Sequence, residues 1–189
     1  MTKFSVHTIE TAPEGSKDRL AAVKKSWGFA PNLQATFAES PLALEAYDTL
    51  FGLVAQRSTL TPAEQQAAYL AVNVFHECEY CTSGHTWLAR NAKLDEASIK
   101  SLRDGAPLAD ARLQALRTFI LLVLKERGFA GDAAVDQFIA AGFTKAQVLE
   151  VVTIIATKTM SNYVNHLTHT PKEGFMSEPA LAWTAPRNR

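Results

Sequence analysis

The chain of 189 residues contains two cysteines, Cys78 and Cys81, three positions apart, with His85 four positions further on. In a helix each residue turns about 100°. The three groups, at i, i+3 and i+7, then share one face and lie within side-chain reach of their neighbours. Two thiols and an imidazole on one patch either cycle between dithiol and disulfide or hold a metal ion. For the redox reading the thiolate is the nucleophile, and an adjacent imidazole can take its proton. Cys81 is one turn from His85, which makes it the attacking thiol and Cys78 the resolving one. The reverse order, with the N-terminal cysteine attacking, is common in thiol oxidoreductases. A structural zinc site wants four ligands, and beyond Cys78, Cys81 and His85 the fourth would be His76, a carboxylate or a distant residue. A third reading has no chemistry, because a free cysteine often packs as a small apolar residue. Glu77 and Glu79, flanking Cys78, are expected to face solvent.

Composition narrows the field. At 189 residues with 47% apolar side chains the chain is one folded domain with a sizeable core. Lysine plus arginine equals aspartate plus glutamate, at 19 each, so no basic field marks a nucleic-acid or anionic-membrane partner. Two cysteines make no disulfide scaffold. The segment Met1 to Glu10 lacks the apolar stretch of a signal peptide, and the longest apolar run, Phe119 to Leu124, is far too short to span a bilayer. Cytoplasmic residence is the expectation, and there a Cys-x-x-Cys pair reads as catalytic or metal-binding.

The elements that must position the pair all read as helices. Residues 1–14 are mixed and extended. Ser16 to Trp27 carries Leu20 and Val23 at helical spacing, and Gly28 to Asn32 stops it. Asn32 to Glu39 is a short helix. Ser40 caps the next helix with Pro41 at its first position. Thr61, Pro62 and Glu64 form a capping box for a helix running to about Phe75. The Cys-x-x-Cys helix follows over roughly 78–92, then short or long helices over 94–102, 110–128 and 132–141. Thr144 and Gln147 form a second capping box for a last helix extending towards His166. This echo of the Thr61 start fits an internal duplication or shared capping chemistry equally. The domain core is about 15–169, and residues 170–189, with Pro171, Pro179 and Pro186, read as a C-terminal tail. No strand is expected.

At Cys78-Glu-Tyr-Cys81-Thr-Ser-Gly-His85, preceded by Leu60-Thr-Pro-Ala-Glu64, the chain resembles the alkylhydroperoxidase AhpD-like branch of the carboxymuconolactone decarboxylase superfamily. The turn Gly28 to Asn32, the Pro41 helix and the Ala141 to Thr144 helix start with Asn162, Asn165 and His166 fit as well. The resemblance implies an all-α fold, a homotrimer or homohexamer, and thiol-dependent reduction of hydroperoxides. It also implies a dithiol donor such as a lipoyl or thioredoxin-like protein, with no metal, flavin or nucleotide required. The decarboxylase branch lacks the cysteine pair, so that activity is not expected, and the alternative use of the pair is disulfide exchange or redox sensing without fast peroxide reduction. In one place the chain departs from the pattern. Twelve residues before Cys78, where the family places a glutamate in a proton relay through the histidine, stands Gln66. An amide orients by hydrogen bonds but accepts no proton. A chain reversal near residues 76–78 would bring Gln66 beside His85, whereas Glu64 is expected to cap. The expected site is therefore Cys78, Cys81, His85 and Gln66, with Tyr80 packing between the cysteines and its hydroxyl available to a substrate path.

Overall fold

The computed structural model describes residues 3–188, and within them every regular element is a helix. Met1 and Thr2 of the extended N-terminal segment and Arg189 of the tail lie outside the described residues. The order is α1 (Glu14–Trp27), α2 (Asn32–Phe37), α3 (Pro41–Arg57), α4 (Pro62–Phe75), α5 (Glu79–Asn91), α6 (Glu96–Asp104), α7 (Ala111–Lys125), α8 (Asp132–Ala140) and α9 (Lys145–Thr168). No single helix among the described residues is long and apolar enough to cross a membrane.

The starts of these helices are chemical. Ser40 accepts from Ala43 N at 3.3 Å with Pro41 in the first turn of α3. Thr61 and Glu64 close a reciprocal capping box at the head of α4, and Thr144 and Gln147 close another at the head of α9. Each box satisfies two N–H groups that the helix leaves without partners. Asp95 and Asp110 cap α6 and α7. α1 stops at Gly28, whose φ of 81° is left-handed and open to glycine.

α4 is the centre of the molecule. Ala67 to Asn73 are all buried, because α5, α6, α7 and α9 pack around it. Two apolar clusters result. One joins α4 to α6, α7, α8 and the first half of α9, with Leu70, Leu102, Phe119, Phe138 and Ile154 at its centre. The other joins the N-terminal helices to the start of α5, with Leu20, Leu44, Tyr47, Cys78 and Cys81 among its members. The segment read from sequence as a tail packs onto the body. Met176, Leu181, Trp183 and Ala185 are buried, the Trp183 indole donates to Arg103 O at 2.9 Å, and Met176 belongs to the second cluster. Its prolines break helix periodicity, but its apolar residues between them supply the burial.

Candidate active site

The turn from α4 to α5 sets the cysteines in place. His76 ends α4, Glu77 adopts a left-handed φ of 54°, and Cys78 N donates back to Asn73 O at 2.9 Å. This 6→1 bond, with Glu77 N donating to Val74 O at 3.0 Å, is the Schellman closure normally built on glycine. Cys78 becomes the N-cap residue of α5 and Cys81 falls in its first turn, where the partial positive charge of a helix N-terminus favours a thiolate.

Both cysteines are free and buried. The Asn165 amide donates to Cys81 Sγ at 3.2 Å and to Cys78 Sγ at 3.8 Å, and Cys81 Sγ lies 3.8 Å from Ser161 Oγ. Asn73 donates to the Cys81 carbonyl at 3.2 Å and accepts from Asn162 at 3.0 Å. The polar face of α9 thus forms the wall behind the thiols. The two sulfurs are electrostatically unequal. Burial opposes ionisation of Cys81, but hydrogen bonds from Cys78, Ser161 and Asn162 and the Lys158 charge outweigh it and bring its pKa down. The hydrogen bond to Cys81, burial and the neighbouring thiolate charge push Cys78 up.

The α4–α5 hairpin returns Gln66 to His85, as the chain reversal required. The His85 Nδ1–H donates to Gln66 Oε1 at 2.8 Å. Glu64 faces elsewhere, held by the Thr61 cap and by Arg112 at 2.5 Å. The other ring nitrogen departs from expectation. Spacing placed His85 as the base for Cys81, but its Nε2 accepts from Lys158 Nζ at 2.9 Å, so both ring nitrogens are already engaged. Burial and the Lys158 charge press the His85 pKa well below its ordinary value. Sequence reasoning missed Lys158, which is 1% exposed. The signal was available: Val151, Ile154, Lys158, Ser161, Asn162 and Asn165 occupy the buried face of α9, and a lysine in that series is anomalous for a core stripe. His76 does not join the site. Its Nε2 lies 3.2 Å from Thr159 Oγ1, and its ring meets Tyr163 edge-on at 5.2 Å. Among the described residues no three His, Cys, Asp or Glu side chains gather as a metal donor set.

A cavity of about 60 Å³ opens onto Cys81, His85 and Lys158. Its walls are aromatic, with Trp27, Phe29, Phe51, Trp87 and Phe175 among them. The tail closes one side. Glu173 Oε1 accepts from the Tyr80 hydroxyl at 2.8 Å and from Asn32 N at 2.6 Å, and Tyr80 accepts in turn from Leu33 N at 3.1 Å. Tyr80 therefore packs and lines the same cavity as Cys81. Met176 approaches α5 at Gly84, where an added Cβ would stand 3.0 Å from its Cε, so its terminal methyl sits close against the helix there.

Comparison with known proteins bears on this arrangement. Residues 41–117 match the Carboxymuconolactone decarboxylase family, a span that includes both cysteines, His85 and Gln66. The fold matches the alkylhydroperoxidase AhpD core of an uncharacterized peroxidase-related protein from Ralstonia eutropha. The TM-score is 0.81 at 21% identity, covering 92% of this chain and 94% of that one. An uncharacterized peroxidase-related protein from Silicibacter sp. is similar at TM-score 0.76 and 20% identity, over 92% of this chain and 96% of that one. The debrominase Bmp8, a cysteine-to-alanine variant in complex with 2,3,4-tribromopyrrole, is similar at TM-score 0.75 and 15% identity, over 93% and 94%. No curated protein matches the chain significantly.

Proposed function

We propose that this chain, a member of the carboxymuconolactone decarboxylase family with an AhpD-like helical fold, is a thiol-dependent peroxidase that reduces hydroperoxides through a Cys78/Cys81 dithiol–disulfide cycle. The observation that carries the reading is the placement of the two thiols. Cys81 opens onto the cavity from the first turn of α5 with the Asn165 amide on its sulfur, while Cys78 lies buried beside it under the same amide. An attacking sulfur must meet the substrate, and a resolving sulfur need only reach the first. The Cys81 thiolate attacks the terminal oxygen of the hydroperoxide, the O–O bond breaks, and an alcohol leaves after gaining a proton. The Cys81 sulfenic acid condenses with the Cys78 thiol to a disulfide and water. A dithiol donor, lipoyl or thioredoxin-like, restores the pair by exchange. His85 lines the cavity beside Cys81, and Gln66 holds its ring through Nδ1. A cytoplasmic setting, where thiols are kept reduced, suits a cycle that starts from the dithiol. Assembly as a homotrimer or homohexamer belongs to the same reading, and Leu149, Val152, Tyr163 and Leu167, exposed along α9, offer an apolar face for it.

The test is the intact mass of reduced protein before and after one equivalent of hydroperoxide. Rapid loss of two hydrogens is expected in the unaltered chain. Cys81→Ser should abolish any reaction, and Cys78→Ser should stop at a sulfenic acid that a dione probe traps. Normal turnover by both variants would end the proposal.

A second reading is favoured by the aromatic walls of the cavity and by the fold shared with a debrominase. The same dithiol would reduce a carbon–halogen bond of a flat ring, releasing halide and leaving a disulfide. Halide release from a bromopyrrole by the reduced protein, with no reaction towards hydroperoxide, would replace the first reading by this one.

A further inference from the structure

Lys158 Nζ is buried in the wall of the cavity that holds Cys81, and its hydrogen-bond partner is a neutral imidazole rather than a carboxylate. A buried ammonium is retained only where a counter-charge compensates its desolvation. The titratable groups that face it are Cys78, Cys81 and His85 from α5 and Tyr69 from α4, whose ring centroid is 5.7 Å from Nζ. Tyr47 from α3 and Glu173 from the tail line the same cavity. Burial holds the Tyr47 and Tyr69 phenols neutral, and the Glu173 carboxylate is turned to Tyr80 and Asn32 through Oε1. Cys81, on the cavity wall with Lys158, is the group whose ionisation the Lys158 charge favours. His85 cannot take the thiol proton while Gln66 accepts from Nδ1 and Lys158 donates to Nε2.

We propose that Lys158 is the proton store of the dithiol cycle, keeping the proton that Cys81 gives up and delivering it to the oxygen that leaves when the peroxide bond breaks. The proposal rests on the peroxidase reading above. In the reduced state Cys81 is thiolate and Lys158 ammonium. Sγ attacks the terminal peroxide oxygen, an S–O bond forms, and the O–O electron pair departs on the alkoxide. Lys158 protonates the alkoxide to the alcohol and becomes a neutral amine. Cys78 then displaces water from the sulfenic acid, its own proton leaving with the hydroxyl. When a dithiol donor reduces the disulfide, the proton of the regenerated Cys81 thiol returns to Lys158. Gln66 and His85 are positioning residues in this scheme: the amide fixes the tautomer, and Nε2 aims the ammonium.

The experiment uses the full chain with Lys158→Met, Lys158→Gln and Lys158→Arg. Two readouts are needed, the pH dependence of Cys81 alkylation by iodoacetamide and the single-turnover rate with cumene hydroperoxide. In the two neutral variants the alkylation midpoint is expected to rise by about 1–3 pH units. Their turnover at neutral pH should fall about 10²- to 10⁴-fold, and it should stay low even above the new midpoint. Arginine keeps its charge but does not release its proton, so Lys158→Arg should retain the low midpoint and still lose turnover. Lys158→Arg turning over like the unaltered chain, or neutral variants recovering fully at high pH, would overturn the proton store. Either result reads out alone if another variant fails to fold. An unaltered chain that alkylates with a low midpoint but ignores hydroperoxide overturns the peroxidase reading and the delivery step with it. If it reduces hydroperoxide and the neutral variants match it, the peroxidase reading stands and the Lys158 proposal falls.

Discussion

The His85 ring is held between an acceptor and a cation. Gln66 Oε1 accepts a hydrogen bond from Nδ1–H and Lys158 donates to Nε2, which fixes one neutral tautomer. Because burial and the Lys158 charge depress its pKa well below 6.5, the folded chain refuses a proton that the unfolded chain accepts. The stability contributed by the neutral ring is therefore complete above pH about 6.5 and declines as pH falls from there towards the depressed folded value. Gln66→Glu would set a carboxylate against Nδ1. The His85 midpoint should rise by about 1–3 units, read from the imidazole nitrogen shifts across a pH titration. A midpoint that stays where it is would mean that residue 66 does not face His85 in solution. The same substitution lets the ring carry a proton beside Lys158, and that repulsion should loosen the Lys158–His85 contact.

At the scale of elements, the α4–α5 turn and the tail hold each other. Glu79 Oε1 accepts from Ala185 N at 3.0 Å and Asn188 at 3.1 Å, and its Oε2 accepts from Lys172 at 2.9 Å. Arg187 pairs with Glu77 at 2.5 Å and donates to His76 O at 3.2 Å. Burial opposes the Glu79 charge, but the donors outweigh it and hold its pKa at about 2, against an ordinary 4.5. A depressed carboxyl stabilises the fold above its unfolded pKa, so this contribution is full above pH 4.5 and is lost as pH falls towards 2. Glu79→Ala should release the tail, and limited proteolysis should then cut within residues 171–188 much faster while the body persists. Equal cutting rates would show that the apolar seats of Met176 and Trp183 hold the tail without Glu79. This strap is where sequence reading ran short. Helix starts are local chemistry, so Ser40, Thr61 and Thr144 announced α3, α4 and α9, and the Cys78–Cys81–His85 spacing with Gln66 announced most of the site. Lys158 stands 73 residues from His85, and Glu173 stands 93 residues from Tyr80. No local periodicity encodes contacts of that range. The turn before Cys78 was legible as a reversal but not as a left-handed Glu77, which carries none of the usual glycine signal.

For the whole molecule, stability and chemistry fall in different places. The larger apolar cluster gathers α4, α6, α7, α8 and the first half of α9, and the thiols belong to the other cluster, under the N-terminal helices and the tail. The two meet through Phe51, which packs against both, and through α9, which supplies residues to both. At the far end of the larger cluster Phe138, 2% exposed, stacks between Phe119 at 4.4 Å and Phe143 at 4.1 Å, with Arg112 lying 3.8 Å over the Phe143 ring. Arg112 also binds Glu64 in the α4 capping box, so this stack supports the head of the central helix. Phe138→Ala removes a ring from a close-packed stack and should destabilise the chain by about 3–5 kcal/mol, measured by denaturant unfolding. Gln66 lies just past the first turn of α4 and His85 on α5, and among the described residues neither makes an aromatic contact with the Phe138 stack. Under native conditions the alkylation midpoint of Cys81 should therefore stay with that of the unaltered chain. A midpoint that moves along with the stability would show that α4 transmits strain from one cluster to the other, and the division into a supporting core and a reactive one would not hold.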